Sequence, residues 1–445
     1  MKRIIKTRNF RLCIRLFTSP FTHFIALSLF TVIVSFPVIL QAWPLDGYKD
    51  TGIRRVEGAR LAHEGKVKDY LKQVPGALWL TSKVDIRLLE HKDLKIPPPD
   101  PELTAQIKSL LGSHLNEYAI AVLDLTDLNH PRYAVHRGEH KQNVGSVGKL
   151  VVMLGIFQAL ADIWPDEDRR IDVLKNTIVT ADEFSQSDHH TIRIFDPKTN
   201  KLVRRPMRIG DQGTQWEFLD WMISISSNSA AAMNQRQGML MVQYGTDFQP
   251  PEEEIKRFFK ETPSKEKTAI YQKAFWDPIP RNGMDLDKLR QGSFLTRGGK
   301  RMVNGGGNSY GTANELLKFL LNMEKGELVD EFSSRQMKRL MYLTERRIRY
   351  ASSPALRNSA VYYKSGSLYK CKKEEGFKCG AYKGNVRNYM NSVAIVESPP
   401  EEGSLYYMVV IISNVLRKNS AVEHQTLGTR IHRLMQKAHP VKTAE

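Results

Sequence analysis

The chain has 445 residues and a formal net charge of +18, from 66 Lys and Arg against 48 Asp and Glu. The positive surplus is spread over short Lys and Arg clusters, which indicates solvated faces and at most a modest attraction to anionic polymers or lipid head groups. The sequence has no recognised nucleic-acid-binding motif, so nucleic acid is not expected as a partner. Its three cysteines lack an accompanying Cys-x-x-Cys or His-x-x-x-His pair, so no metal site is expected either.

The first 42 residues combine a basic lead with an apolar run. Six Lys and Arg residues and no acid occupy positions 2 to 15, and apolar residues dominate from Phe24 to Ala42. This pattern is typical of a signal peptide or an N-terminal membrane anchor over residues 1–42. Ala42 offers a small residue for cleavage, whereas Leu40 departs from the usual A-x-A pattern, so removal and retention both stay open. We expect a periplasmic or otherwise extracytoplasmic protein, anchored to the cytoplasmic membrane if the segment is retained.

Residues 43–101 form an N-terminal extension that ends in a proline run, Ile96-Pro97-Pro98-Pro99-Asp100-Pro101. Such a run does not continue a helix or a central strand, so it predicts a stiff linker or an edge segment. About 50 residues is small for an independent core. We expect the extension to pack on the following domain or to act as a spacer from the membrane.

The main domain, residues 102–445, opens with two strands and closes with three. A helix is predicted near 102–115, and apolar-rich strands follow at 118–125 and 133–136. The region from 146 to 344 is mostly helical by pattern. Further strands are predicted at 362–369, 389–397 and 405–415, with a closing helix at 421–437.

Three short motifs stand in a fixed order in this domain: Ser146-Val147-Gly148-Lys149, Ser226-Ser227-Asn228 and Lys364-Ser365-Gly366. The S-x-x-K pattern alone is weak, because it should arise about twice by chance in a chain of this length. Ser264–Lys267 and Ser367–Lys370 also fit it. Ser146 differs in its context, since a glycine precedes it and apolar residues at helical spacing follow it.

This context places Ser146 at the start of a buried helix, with Lys149 one turn along on the same face. The helix N-terminus favours a developing oxyanion, and together with burial it disfavours a protonated lysine. Ser146 is therefore a candidate nucleophile and Lys149 its candidate base.

In these motifs the chain resembles the penicillin-binding protein and class A β-lactamase superfamily, whose signature is S-x-x-K, then S-D-N or S-x-N, then K-T-G or K-S-G. Ser226–Ala231 is similar to the family's S-D-N-T-A-A helix start, and Gly311–Leu320 is similar to the helix that follows its omega loop. The resemblance covers about residues 102–440. It implies an α/β (α+β) fold, in which helices flank an antiparallel five-stranded sheet and a catalytic cleft separates the sheet from an all-helical lobe.

The resemblance also implies a role for each motif residue. Ser146 would attack a carbonyl while Lys149 takes its proton. Ser226 would relay a proton to the leaving nitrogen, because a hydroxyl both donates and accepts. Asn228 would hydrogen-bond the substrate's side-chain amide.

The third motif would bind a different part of the substrate from the one that Asn228 binds. Lys364 and Ser365 would bind a substrate carboxylate, and Gly366 would let the substrate lie against the strand without a Cβ in the way. The backbone N–H groups of Ser146 and Ser367 would form the oxyanion hole. The family chemistry needs no metal and no cofactor.

Two departures from the family pattern affect the second half of the reaction. Class A β-lactamases carry an omega-loop glutamate that activates water for deacylation, whereas this chain has no Asp or Glu between Arg290 and Gly311. The middle motif also has Ser227 where the lactamases have Asp. These departures predict intact acylation and slow hydrolysis of the acyl-enzyme, unless an acid comes from elsewhere, such as residues 246–290.

Two stretches exceed what the family core needs. His189–Gly210 predicts a basic loop near the cleft rim, and residues 246–290 predict a charged excursion with a short helix; surface elaboration is the simpler interpretation of both. The His189-His190 pair indicates a solvent-facing turn rather than a metal site. Gly305-Gly306-Gly307 indicates a flexible omega-loop region, because the G-x-G-x-x-G register fails at Tyr310.

The sequence therefore predicts an exported serine hydrolase that forms an acyl-enzyme through Ser146 and acts on a β-lactam or a related amide. Two alternatives stay open: a D-Ala-D-Ala-type peptidase that acts on peptidoglycan, and a slowly deacylating penicillin-binding sensor. A disulfide between Cys371 and Cys379 is expected in an oxidising compartment.

Overall fold

The computed structural model describes residues 46–440, with the exception of residues 69, 346 and 399–404. The predicted leader, including Cys13, lies outside the described residues. The strands are β1 (Tyr118–Asp124), β2 (Arg132–His136), β3 (Ile178–Thr180), β4 (Thr191–Asp196), β5 (Lys201–Pro206), β6 (Gln212–Thr214), β7 (Leu289–Arg290), β8 (Tyr310–Gly311), β9 (Ala360–Lys370), β10 (Arg387–Ser398) and β11 (Leu405–Asn414). The helices are α1 (Tyr48–Thr51), α2 (Arg54–His63), α3 (Pro101–Leu111), α4 (Lys149–Ile163), α5 (Glu167–Asn176), α6 (Gln215–Ile223), α7 (Asn228–Tyr244), α8 (Glu252–Glu261), α9 (Ser264–Phe275), α10 (Pro278–Arg281), α11 (Arg297–Met302), α12 (Ala313–Glu324), α13 (Glu331–Tyr342) and α14 (Ser420–Ala438).

The central sheet has five antiparallel strands in the order β2-β1-β11-β10-β9. Two of its strands precede the helical region and three follow it, so the predicted fold class is confirmed. β9, which carries the Lys364 motif, is an edge strand, and its outer edge is therefore available to other groups.

Both faces of this sheet are buried, because apolar residues continue along its strands instead of alternating with polar ones. In β1, Ala119 and Ala121 belong to the apolar cluster shared with the helical lobe, whereas Ile120 and Val122 belong to the cluster shared with α3 and α14. The nucleophile motif lies on the helical-lobe side.

Helix α4 forms the centre of the helical lobe. All its side chains from Lys149 to Leu160 are buried. Within the described residues, Gly145–Ile163 is the one helical segment long and apolar enough to cross a membrane by length and composition, and a buried core helix passes the same test. Lys149 is a buried ionisable residue in this apolar helix, which sets its pKa apart from that of a surface lysine.

The N-terminal extension packs on the main domain. Ile53, Val56 and Trp79 belong to the same apolar cluster as α4. Arg55, which is 2% exposed, forms a bidentate ion pair with the fully buried Asp220 of α6, with distances of 2.5 and 2.6 Å. The extension therefore contributes to the core and is more than a spacer.

The proline run lies at the edge of the sheet. Pro99 forms a parallel bridge with Tyr133 of β2. Asp100 caps α3 by accepting from Leu103 N at 2.8 Å, and Pro101 takes the first helical position, where no N–H is needed.

The expectation of a loop at 189–210 is wrong, because this stretch contains the β4–β5 hairpin. Ile192 and Phe195 of β4 are buried, and the Phe195 ring packs against Tyr70 of the extension with 6.2 Å between centroids. The many Lys and Arg residues occupy the more exposed β5 and concealed the strand pattern.

Residues 246–290 form more than the expected charged excursion with one short helix. They form α8, α9 and α10, and Phe258, Phe259, Tyr271 and Phe275 are buried in the lobe. The apolar residues of α8 stand three and four positions apart among charged ones, which is the spacing of one buried helical face.

The expected Cys371–Cys379 disulfide is present. It closes a short loop between β9 and β10, and Tyr382 follows in the same connection. This connection lies at the end of the strand that carries the third motif.

Candidate active site

The candidate nucleophile lies in a tight turn that leads into α4. Gly145–Gly148 forms a 3₁₀ turn, and Gly145 has a φ of +55°, in the left-handed region that favours glycine. The turn packs against β9, where Ser367 N lies 3.1 Å from the position that a Cβ on Gly145 would take. Ser146 is half-buried and follows this glycine.

Lys149 is fully buried, and its Nζ has a specific set of neighbours. Nζ lies 2.8 Å from Ser146 Oγ, 3.0 Å from Ser226 O and 2.7 Å from Asn228 Oδ1. The carbonyl and amide oxygens can only accept, so they take two N–H bonds from the amine. In a neutral amine the lone pair is then left for Ser146 Oγ, which is the arrangement of a general base and a nucleophile.

Burial lowers the pKa of Lys149 to about 7, because the charged form loses its hydration. The Asp188 carboxylate opposes this shift, and the Arg349 guanidinium adds to it. About half of the molecules therefore hold a neutral Lys149 near pH 7.

Ser226 lies in the loop between α6 and α7 with a φ of +64°. A serine in the left-handed region costs about 1–3 kcal/mol, and such strain clusters at functional sites. The Ser226 Oγ accepts from Lys364 Nζ at 2.8 Å and lies 3.4 Å from Lys149 Nζ. The hydroxyl thus connects two buried amines and can pass a proton between them and a leaving group.

Lys364 is buried on β9, and its Nζ also donates to Ser365 O at 3.0 Å. Burial lowers the pKa of Lys364 well below its usual value, and the charges of Lys149 and Arg349 act in the same direction. The two amines repel each other when both are charged.

Asn228 is the first residue of α7. Its Oδ1 accepts from Lys149, so the Nδ2 group on the opposite branch of the amide is the donor available to a substrate carbonyl. The three sequence motifs therefore meet at the Ser146–Lys149–Ser226 contacts.

Glycine is required at position 366 for a different reason from the expected one, which was close approach of the substrate. A Cβ at this position would lie 2.0 Å from Val144 O and 2.6 Å from Ser146 N, so the space is occupied by the nucleophile turn itself. The absent side chain lets β9 touch that turn. Ser146 N lies beside Gly366 and Ser367 N lies beside Gly145, so both expected oxyanion-hole donors belong to this contact.

Asp188 is a site residue that the motifs did not indicate. Its Oδ2 accepts from Asn228 N at 2.7 Å, Ser229 N at 3.0 Å and Ser227 Oγ at 3.0 Å. It therefore places a buried anion at the N-terminus of α7, a favourable position for negative charge. Although burial alone would raise the pKa of Asp188, hydrogen bonds from His190 and the backbone hold it well below its usual value.

The His189-His190 pair lies beside the site, with His189 exposed as expected and His190 half-buried. His190 Nδ1 lies 2.6 Å from Asp188 Oδ1, and the ligand-capable atoms of Asp188, His189 and His190 all lie within 4.8 Å of one another. Asp188 already accepts bonds from His190 and α7, so its observed role is to hold the Ser226–Asn228 loop in place.

Arg349 is a second site residue that no motif contains. Its guanidinium donates to Ser365 Oγ at 2.7 Å and to Ser367 Oγ at 2.9 Å, and it stacks on the Tyr382 ring with Cζ 4.8 Å from the centroid. This places a fixed cation beside β9 at the position expected to bind a substrate carboxylate.

The segment between β7 and β8 reaches the nucleophile turn through an amide. Gln291 Oε1 lies 2.1 Å from the position that a Cβ on Gly148 would take, and the same segment carries no Asp or Glu. An amide side chain orients water but does not accept its proton. The segment that was expected to lack a base therefore contacts the nucleophile turn through a glutamine.

No protein-family model matches the chain. No curated protein matches it. Similar solved structures include a mutant of PBP-A in its acyl-enzyme complex with penicillin G (13% identity, 77% of this chain and 100% of that chain covered, TM-score 0.48). A β-lactamase from Chitinophaga pinensis (14%, 75% and 98%, 0.47) and the TLA-3 extended-spectrum β-lactamase (12%, 75% and 98%, 0.46) are also similar. At these identities and TM-scores, what the chain does is inferred from its own residues.

Proposed function

We propose that the chain is an exported serine hydrolase in which Ser146 attacks a carbonyl and forms an acyl-enzyme. The observation that supports this most is the environment of Lys149 Nζ. Its contacts among the described residues are oxygens of Ser146, Ser226 and Asn228, with no carboxylate among them. A lysine that served only as a structural cation would need a charged partner at this depth.

In this reaction the Ser146 oxygen bonds to the carbonyl carbon while its proton passes to Lys149. The negative charge that develops on the carbonyl oxygen is stabilised by the Ser146 and Ser367 amides, at about 3 kcal/mol for each donor. Ser226 donates its proton to the leaving nitrogen as the carbon–nitrogen bond breaks, and it is reprotonated from Lys149 or Lys364. Water then hydrolyses the ester and restores Ser146.

The proposed substrate class is a β-lactam or a related amide. The Nδ2 of Asn228 is placed to bind a carbonyl on the acyl side. Lys364, Ser365 and Arg349 offer a cationic, hydroxyl-lined surface to a carboxylate on the other side.

A slowly deacylating penicillin-binding protein is the second candidate function. It is favoured by the β7–β8 segment, whose Gln291 contacts the nucleophile turn and which carries no Asp or Glu. In this candidate the acyl-enzyme accumulates and the occupied protein acts through a partner or an anchor. A cell-wall peptidase would instead release D-alanine from a peptide.

Export is proposed on the basic leader and on the Cys371–Cys379 disulfide, since disulfides persist mainly in oxidising compartments. A fusion of residues 1–60 to a reporter that is active only outside the cytoplasm tests this proposal. A reporter signal is expected, and an inactive but intact fusion would contradict export.

The acyl-enzyme proposal is tested by labelling with a fluorescent fluorophosphonate. The wild type should be labelled, and Ser146→Ala should lose the label while keeping the circular dichroism of the folded protein. Ser264→Ala is the matched control, because Ser264 also begins an S-x-x-K sequence but is exposed on α9. Equal labelling of Ser146→Ala and Ser264→Ala would rule out the assignment.

A further inference from the structure

A cavity of about 560 Å³ opens beside the proposed proton donor. Ser226, Lys364 and Ser365 line its inner end, and Tyr382 and Val422 line it further out. Neither Ser146 nor Asn228 is among the described residues that line it. The cavity therefore extends from Ser226 on the side that the acyl group does not occupy.

The position of the cavity matches that of the leaving group in the proposed reaction. In the proposed reaction Ser226 gives its proton to the leaving nitrogen, so that nitrogen must lie within hydrogen-bond distance of Ser226 Oγ. The rest of the leaving amine then has this cavity as its adjoining space. The acyl side is bound elsewhere, by Asn228.

The polar groups at the inner end are arranged for an anion. Ser365 Oγ and Ser367 Oγ both accept from the Arg349 guanidinium. Ser365 lines the cavity together with Arg349, whereas Ser367 is not among the described residues that line it. A carboxylate placed beside Ser365 would meet a hydroxyl backed by a fixed positive charge.

The remaining walls add positive charge. Arg347 and Arg349 line the cavity as cations, and Arg193 is paired there with Glu345, which is the acid among the described lining residues. Burial lowers the pKa of Arg347 to about 10, so it stays charged at neutral pH. Its guanidinium donates to backbone carbonyls of Gly76, Leu356 and Ser359, none of which neutralises the charge.

The cavity is also larger than a small leaving group requires. Its volume lies within the range of about 300–1,000 Å³ that holds a whole small-molecule ligand. The outer part is lined by the Tyr382 ring and by Val422, which is 50% exposed at the start of α14. These apolar groups suit a side chain, and the cationic inner end suits a carboxylate.

Resting on the proposed acyl-enzyme function and its carboxylate contact, we propose that the leaving amine is an amino acid or short peptide whose side chain is larger than a methyl group. In the cleavage step the bond from Ser146 Oγ to the acyl carbon forms and the amide carbon–nitrogen bond breaks. The amine departs into the cavity with a proton from Ser226. Its carboxylate stays beside Ser365 and Arg349, and its side chain lies against Tyr382 and Val422.

The test uses a series of N-acyl amino acids with one fixed acyl group. The leaving residue is glycine, alanine, leucine or glutamate, in both enantiomers, and each is compared with its carboxamide. We expect kcat/KM to rise at least about tenfold from alanine to the larger residues of the preferred enantiomer, as each added methylene contributes in a fitting pocket. We expect a loss of at least about tenfold when the carboxylate becomes a carboxamide.

A variant that fills the outer cavity tests whether the preference for large leaving residues arises in this cavity. Val422→Trp should lower kcat/KM for the large leaving residues at least about tenfold more than it lowers the value for alanine. Val203→Trp is the matched control, because Val203 is 43% exposed on β5 and does not line the cavity. It should change neither value.

Fluorophosphonate labelling of the same preparations distinguishes the two levels of the proposal. If Ser146 is labelled but the series is not hydrolysed, or is hydrolysed without preference for size and carboxylate, the leaving-group inference is overturned and the acyl-enzyme function stands. If Ser146 is not labelled, both fail. An equal response of Val422→Trp and Val203→Trp would also overturn the inference.

Discussion

The pH dependence of Ser146 acylation follows directly from the environment of Lys149. Only the neutral amine can take the Ser146 proton, and burial lowers the pKa of Lys149 from 10.5 to about 7. The acylation rate should therefore rise with pH up to about 7 and level off above it. Lys149→Arg, which stays charged, should lower the rate by at least about 10²-fold, in the range of general-base removal.

The expected size of the pH effect on acylation follows from the fraction of Lys149 that is neutral. At pH 7 this fraction is about one half for Lys149 but roughly 10³-fold smaller for a lysine with an ordinary pKa. At pH 5 the rate should be about 100-fold below its plateau, since the fraction falls tenfold with each pH unit. The buried position of the amine thus supplies about three orders of magnitude in available base.

The variant Asp188→Asn gives a second test of the Lys149 pKa. The carboxylate raises the Lys149 pKa against the effect of burial, so its removal should move the inflection to lower pH. The amide oxygen of Asn can still accept from the α7 N–H groups, which favours retention of the fold.

The assay is single-turnover acylation by a fluorophosphonate between pH 5 and pH 9, with the melting temperature recorded at each pH as a control. A flat profile, or an inflection near pH 10, would refute the role of Lys149 as a neutral base. An unchanged inflection in Asp188→Asn would refute the electrostatic link between these two residues.

Four further predictions address the relay, deacylation, the nucleophile turn and the extension. Ser226→Ala should lower amide cleavage by about 10²–10⁴-fold but fluorophosphonate labelling much less, because an amine leaves only when protonated; equal losses would argue against a relay. Benzylpenicillin should give a product burst stoichiometric with enzyme and an adduct visible by intact mass for minutes, and rapid steady hydrolysis without an adduct would reveal a deacylation base outside the β7–β8 segment. Gly366→Ala should destabilise the protein by about 1–3 kcal/mol in urea unfolding and slow acylation, because its Cβ would overlap the nucleophile turn; unchanged stability and rate would refute the tight contact. Arg55→Ala should cost about 3–5 kcal/mol by leaving Asp220 buried and unpaired, whereas Arg417→Ala, which breaks an exposed ion pair, should change the stability much less, and equal losses would contradict the buried role of the extension.

The parts of the site that could be predicted were those encoded locally. The spacing of Ser146 and Lys149 is set by a single helical turn. The order of the three motifs then predicted that Ser226 and Lys364 belong to the same site. The strands of the central sheet were also predictable, since continuous apolar runs such as β10 and β11 stand out from their flanks.

The parts that could not be predicted depend on contacts between distant segments. Asp188 reaches the start of α7 from 40 residues away, and Arg349 reaches β9 from a short 3₁₀ turn. Neither residue stands in a recognisable motif. Gly366 was predicted to be needed, but its reason, the approach of the Val144 carbonyl, exists only in the folded chain.

The central claim, that Ser146 is the acylated nucleophile, is tested most directly by locating the adduct. After a short exposure to benzylpenicillin and tryptic digestion, the peptide Gln142–Lys149 should gain the mass of the intact antibiotic, and Ser146 is the serine in that peptide. The account predicts this shift in the wild type and in Ser264→Ala, and its absence in Ser146→Ala. A stable adduct on any other peptide, with Gln142–Lys149 unmodified, would contradict the account.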